Sequence, residues 1–308
     1  MKAILFPGQG SQIVGMGNEF YNNFDTVKEI FHKADEKIKF KLSKIILEGP
    51  ESELKKTQYT QPAILLVSYS IFTILKDEFK FELSKIKYFA GHSLGEYSAL
   101  LCSNSISFTD AIYLLHERGK AMQESVPIGE GAMIAVLGTE AKDLESYISE
   151  IKNKKVCEIA NDNAIGQIIV SGDANSINDL QKILKANKKK SILLPVSAPF
   201  HCSLMLSAAN KMKEKINAVN FKKPDYPILS NVTAKPELEI DSIKRLLFEQ
   251  IYSKVRWREI ILYMAENSIN EFIEIGPGKV LSGLVKRIVN NANTNSINTI
   301  TDIKNLNK

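Results

Sequence analysis

A serine held between two glycines, Gly91-His92-Ser93-Leu94-Gly95, lies where a short apolar run (Tyr88-Phe89-Ala90) gives way to a helix-forming one (Glu96–Cys102). This junction restricts the fold more than any other feature of the chain. A strand that turns within a few residues into a helix leaves no room for β-carbons beside the serine, hence the glycines. Such a turn lifts Oγ clear of the sheet and aims the free N–H groups of the helix N-terminus at the same spot. The pentapeptide alone also arises in Gly-Ser loops. The flanking strand and helix make it a sharp strand-to-helix elbow.

The rest of the chain alternates short apolar runs with longer amphipathic ones, the pattern of an α/β fold with a mainly parallel sheet. Ala3–Phe6 and Glu271–Ile275 read as strands, the second stopped by Gly276-Pro277-Gly278. Pro62–Leu75 reads as a buried helix with Pro62 in its first turn. Between Ser125 and Val196 the texture changes. Strands are expected at Ala132–Leu137, Lys155–Ile159, Gln167–Val170 and Ile192–Val196, with helices at Ala141–Ile151 and Ser176–Ala186. That order, β-α-β-β-α-β, is ferredoxin-like. The expectation is a large domain (1–124 and 197–308) with a ferredoxin-like small domain (125–196) inserted.

The 308 residues are 44% hydrophobic, enough for a sizeable core. The N-terminal apolar run is too short for a secretory signal, and no stretch is long enough for a membrane helix. Three cysteines without a C-x-x-C pair argue against a disulfide scaffold or a zinc site and fit a reducing cytoplasm. The net charge of +5 comes from scattered lysines, apart from Lys188-Lys189-Lys190. That run reads first as a solvated helix end and second as a patch for phosphates or an acidic protein. No nucleic-acid motif accompanies it.

A serine hydroxyl needs a base to act as a nucleophile. Of the four histidines, His32 lies on a charged helix, His116 reads as structural, and His92 is constrained beside the serine, where it can shape the turn. His201 remains. It reads as opening a helix (His201-Cys202-Ser203-Leu204-Met205), where the dipole would disfavour imidazolium. Arg118 follows Thr109, a candidate cap, and shares an apolar stripe with Ala111, Leu114, Leu115 and Met122. A buried guanidinium needs a partner: either an internal Asp or Glu, or a substrate carboxylate gripped bidentately. Pro7-Gly8-Gln9-Gly10-Ser11-Gln12 lacks the order of a nucleotide-binding loop. It can instead bring Gln9 in as an oxyanion donor beside the Leu94 N–H.

These residues together resemble the malonyl-CoA:acyl carrier protein transacylases of fatty-acid synthesis. The resemblance runs through Pro7–Gln12, Thr60–Ala63, Gly91–Leu100, Glu117–Gln123, Phe200–Met205, Asn231–Ala234 and Ile275–Ile288. It implies a hydrolase-like large domain and a ferredoxin-like small one with the active site between them, with Ser93 as nucleophile, His201 as base, Gln9 and the backbone of Leu94 as oxyanion hole, and Arg118 on the malonyl carboxylate. It also implies that the backbone carbonyl of Gln250 orients His201 and that Phe200 crowds an α-methyl group. Asn161 and Asn163 match a polar loop near the substrate. Lys254 and Ile165 depart from the family's usual residues, at positions that touch loop geometry and not chemistry. The implied partners are malonyl-CoA and holo acyl carrier protein, with no metal or cofactor, no membrane and a monomeric cytoplasmic enzyme. Lys189 and Lys190 are candidate contacts for phosphates or the carrier. The alternatives are a serine thioesterase or hydrolase, and a stand-alone acyltransferase of polyketide synthesis. The chain's length favours fatty-acid synthesis over the last.

Overall fold

The structure, a computed structural model, describes residues 1–196 and 198–306. The expected domain boundary at 197 and the end of the large domain at 308 fall on residues outside that set. Ten strands are described: β1 (Lys2–Phe6), β2 (Ile86–Gly91), β3 (Gly131–Leu137), β4 (Cys157–Ala164), β5 (Gln167–Asp173), β6 (Lys190–Leu193), β7 (Ile228–Leu229), β8 (Pro236–Glu237), β9 (Glu271–Ile275) and β10 (Asn293–Ile297). They form two sheets, ordered β10-β9-β1-β2-β7-β8 and β4-β5-β3-β6.

In the first sheet every pairing is parallel except the β7–β8 edge. Its central strands are apolar on both faces, as helix-covered parallel strands must be. Ile4 and Phe6 of β1 join Phe89 and Ile273 in one core, whereas Ala3 and Leu5 pack with Ala90 and Phe272 in the other. The second sheet is wholly antiparallel. Its first strand, β3, is central, and the helices Ala141–Ser149 and Ala174–Ala186 provide the two crossovers. This is the ferredoxin-like order. Ile134 and Val136 bury against those helices, while Met133 and Ile169 turn the other way, toward the large domain. Thus the fold is α/β, with a mainly parallel sheet and a second, smaller unit.

Several elements differ from expectation. β4 runs to Ala164, so Asn161 and Asn163 lie on a strand and not in a loop. What holds them is a parallel bridge from Asn161 to Val255 and a hydrogen bond from Asp162 N–H to the Val255 carbonyl at 3.0 Å, which seat the end of β4 on the large domain. β6 is Lys190–Leu193, four residues that pair with Ile134–Leu137, so the lysine run closes one helix and enters a strand. The helix carrying Arg118 is Phe108–Gln123, capped by Ser107 and not Thr109: the Ser107 hydroxyl accepts from Asp110 N–H at 3.1 Å. Among the described residues no helix is long and apolar enough to cross a membrane.

The buried helix is longer than expected, Thr57–Asp77, which puts Pro62 inside it and not in its first turn. Proline has no N–H to give the carbonyl four residues back. That carbonyl, on Gln58, instead accepts from His116 Nδ1 at 3.1 Å. His116 therefore staples the proline-containing helix to the helix bearing Arg118. We expect His116→Ala to cost about 1 kcal/mol, the net worth of one hydrogen bond. The loss should shrink in a Pro62→Ala background, where a backbone N–H replaces the imidazole. Urea unfolding of the two single variants and the double variant measures this, and strictly additive losses would refute the staple.

Candidate active site

The elbow forms where β2 turns into the helix Gly95–Cys102. A β-carbon on Gly91 would lie 1.9 Å from the Gly95 carbonyl, and one on Gly95 would lie 2.3 Å from the Phe6 carbonyl oxygen. Neither position tolerates a side chain. Between them Ser93 is held at φ 53°, a left-handed conformation that a non-glycine residue adopts only under tertiary constraint. Asn231 supplies part of that constraint. Its Oδ1 accepts from Ser93 N–H at 2.7 Å and its Nδ2 donates to the Gly91 carbonyl at 2.8 Å.

Ser93 Oγ lies 2.8 Å from His201 Nε2, although 108 residues separate them. On the far side of the ring, Nδ1 lies 2.8 Å from the Gln250 backbone carbonyl. A carbonyl can only accept, so Nδ1 carries the proton and Nε2 presents its lone pair to the serine hydroxyl. Burial, reinforced by the positive charge of Arg118, pushes the ring's pKa down to about 3. Its neutrality has a different origin from the one expected. His201 does not open a helix: it sits at φ 57° in a turn, ahead of the short 3-10 segment Ser203–Met205 and the helix Leu206–Ala218.

Arg118 is 1% exposed. Its Nη1 donates to Gln61 Oε1 at 2.7 Å, and its Nη2 donates to Gln250 Oε1 at 2.8 Å and to Ser93 Oγ at 3.1 Å. The guanidinium also lies 5.7 Å from the centre of the Tyr97 ring. Among the described residues no carboxylate forms an ion pair with it, and its Nε is buried without a hydrogen-bond partner. Of the two partners considered for this arginine, an internal acid is therefore not the one it touches. It is solvated by neutral amide oxygens and keeps donor capacity next to the serine.

The remaining expected residues converge on the same cleft. Gln9, Leu94, Asn163 and Phe200 line it with Ser93, His201 and Arg118, and Met133 and Ile169 of the small sheet form an apolar wall. The backbone N–H groups of Gln9 and Leu94 have no hydrogen-bond partner among the described residues. His92 Nε2 is 2.9 Å from Asn163 Oδ1, which ties the elbow to β4. Lys189 and Lys190 do not line the cleft.

Sequence reasoning missed Glu96, Gln61 and Tyr97, and gave Asn231 no role. Glu96 Oε2 accepts from Gln250 Nε2 at 2.7 Å and from Asn231 N–H at 3.1 Å, and burial pushes its carboxyl up to about 7. Its signal was present: it is the one acid in an otherwise uncharged helix, Gly95–Cys102, every residue of which is buried. Gln61 and Tyr97 carry no such signal, because an uncharged polar residue in a helix has too many ordinary explanations.

The arrangement can deprotonate a hydroxyl as it attacks a carbonyl, offer two N–H groups to the oxyanion, and hold an anionic group beside the new ester. Comparison with known proteins points to acyl transfer. The chain is 44% identical over 288 residues to the malonyl CoA-acyl carrier protein transacylase of Bacillus subtilis, covering 93% of this chain and 90% of that one. Among solved structures it resembles an acyl-carrier-protein-S-malonyltransferase from Bartonella henselae (TM-score 0.96, 40% identity, 99% of this chain and 98% of that chain). It also resembles a malonyl-transacylase in complex with a type II polyketide acyl-carrier protein (TM-score 0.94, 36% identity, 98% and 97% covered). The acyl transferase domain model matches residues 4–306, a span that takes in both sheets' pairing partners around the cleft and every residue of the site: the chain belongs to the acyl transferase family.

Proposed function

We propose that this protein transfers a malonyl group from coenzyme A to the phosphopantetheine thiol of an acyl carrier protein, as an S-malonyltransferase of fatty-acid synthesis. The observation that carries the reading is the Arg118 guanidinium, 3.1 Å from the Ser93 hydroxyl and free of any carboxylate partner among the described residues. A cation fixed beside the acylated atom selects acyl groups that end in a free acid. Malonyl, whose carboxylate lies two bonds beyond the acyl carbon, is short enough to be gripped while its carbonyl meets Ser93.

In this cycle His201 Nε2 takes the proton as Ser93 Oγ attacks the malonyl thioester. The N–H groups of Gln9 and Leu94 hold the oxyanion, and His201 returns the proton as the coenzyme A thiol leaves. The carrier's thiol, deprotonated by His201, then attacks the malonyl-serine ester by the reverse path and regenerates Ser93. The Gln250 carbonyl keeps the imidazole in the required tautomer, a role that in many serine enzymes falls to an acid. Phe200, buried against the cleft, narrows the space for an α-substituent, and Asn163 holds His92 behind the elbow. Three free, buried cysteines support a cytoplasmic setting.

The pathway is decided by the carrier. A related malonyl-transacylase was solved with a polyketide carrier, and a polyketide assignment would leave every step above unchanged. A hydrolase would need water to outcompete the thiol. With malonyl-CoA alone, intact mass should rise by one malonyl group on Ser93 and return to the starting value when holo carrier is added. Label absent in the wild type, or still present in Ser93→Ala, contradicts the acyl-serine route.

Arg118→Ala should lower kcat/KM for malonyl transfer by the worth of one bidentate charged contact, about 2–5 kcal/mol, while acetyl transfer holds or rises. Equal losses for the two acyl groups would reduce Arg118 to a structural role. The acid dependence of stability tests the buried histidine. His201 ionises at about 3 in the fold against an ordinary 6.5. Between those values the unfolded chain binds the additional proton, so stability falls as pH falls through the window. Glu96, raised to about 7, acts in the opposite sense and is common to both proteins compared. From pH 7 to pH 5 the urea midpoint of the wild type should therefore shift downward relative to that of His201→Gln; identical shifts in the two proteins would count against a neutral buried ring.

A further inference from the structure

Glu96 lies in the first turn of the helix that follows the serine and is 4% exposed. No lysine or arginine pairs with it among the described residues; its Oε2 is met by two neutral donors, Gln250 Nε2 and the Asn231 N–H. A buried carboxylate held this way is costly unless the arrangement does something a hydrocarbon could not. What it does can be read from the Gln250 amide. That amide has two ends and two sets of neighbours. Nε2 donates to Glu96 Oε2 at 2.7 Å and to the Ser93 carbonyl at 3.1 Å, both pure acceptors when Glu96 is ionised. Oε1 is thereby left to face Arg118 Nη2, a pure donor, at 2.8 Å. Turned by 180°, the amide would set its NH2 group against the guanidinium and its oxygen against a carboxylate, with every contact mismatched.

We propose that Glu96 is a positioning residue that fixes the orientation of the Gln250 amide, and through it holds the Arg118 guanidinium beside Ser93. The same carboxylate oxygen anchors the Asn231 backbone, whose side chain holds the Ser93 N–H, so one buried acid steadies both the nucleophile's turn and the acyl-group clamp. Gln250 contributes twice: its main-chain carbonyl serves His201, and its side chain serves Arg118. The inference rests on the malonyl reading above and adds to it the residue that holds the specificity arginine in place.

The measurement is kcat/KM for malonyl-CoA and for acetyl-CoA with the same holo carrier. In Glu96→Ala the malonyl-to-acetyl ratio should fall about tenfold, the effect of losing one net hydrogen bond from the clamp. In Glu96→Gln a carbonyl oxygen still accepts from both donors, and the ratio should recover to within about threefold of wild type on the same scale. A folded Glu96→Ala with the wild-type ratio overturns the proposal. So does a Glu96→Gln as unselective as Glu96→Ala, because charge and not amide orientation would then be what matters. Should Glu96→Ala fail to fold, Gln250→Ala reads the same link from its other end: lost selectivity supports it and wild-type selectivity overturns it.

A second readout needs no malonyl group. The Gln250 side-chain amide protons, identified by nitrogen-15 labelling and by their loss in Gln250→Ala, should exchange slowly in the wild type and Glu96→Gln and rapidly in Glu96→Ala. Unchanged slow exchange in Glu96→Ala sinks the inference. A wild type that shows no malonyl preference, with exchange behaving as stated, sinks the malonyl reading and leaves the positioning role of Glu96 standing.

Discussion

Burying a guanidinium beside a nucleophilic hydroxyl sets the terms for the rest of the active site. Arg118 cannot shed its charge, and a buried charge deprived of its partners costs several kcal/mol. An internal carboxylate in direct contact would satisfy it and also occupy the donors needed for a substrate. The site uses amide oxygens from Gln61 and Gln250 in place of that carboxylate and puts the acid, Glu96, one residue further back. Neutral partners solvate the arginine without neutralising it. The same charge helps keep His201 unprotonated, so in the proposed cycle one group would both select an acidic acyl chain and maintain the base.

This economy depends on convergence. Ser93 comes from the turn after β2, Arg118 from the helix Phe108–Gln123, His201 from the return of the chain after the small sheet, and Gln250 from the end of the helix Ile240–Gln250. The sheet makes this possible because its parallel strands present the same ends to the cleft, with β1 and β2 adjacent. The small sheet closes the other side. Met133 and Ile169 face the site from its inner surface, and Asn163 reaches across to His92. Polar contacts also tie it to the large domain: the Asn161–Val255 bridge and a two-pronged ion pair between Arg258 and Asp162.

Much of this was legible in the order of residues. The elbow could be read because only glycine survives where Gly91 and Gly95 approach the neighbouring backbone. The strands β1, β2 and β9 were visible as short apolar runs, and the ferredoxin-like unit was visible in its alternation of strand and helix. Arg118 stood out as a charge on an apolar stripe. Errors came where a local signal has more than one tertiary answer. Pro62 looked like a first-turn residue, since nothing local shows that His116 would take over the freed carbonyl. His201 looked like the start of a helix, yet the residues after it form a turn and a 3-10 segment. The closing strand looked apolar, but register with β3 placed it at Lys190–Leu193.

The sequence alone determined which side chains are candidates for the chemistry and the kind of turn that exposes the serine, because those depend on side-chain chemistry and on short-range sterics. It also determined the fold class, because the spacing of apolar residues dictates which faces must be covered. Only the tertiary structure decided what solvates the arginine, which way the Gln250 amide points, and why the histidine is neutral. Those depend on which donors and acceptors from distant segments end up within about 3 Å of one another. No local pattern encodes a distance between the Ser93 carbonyl and a side-chain amide donor 157 residues away; folding alone sets it.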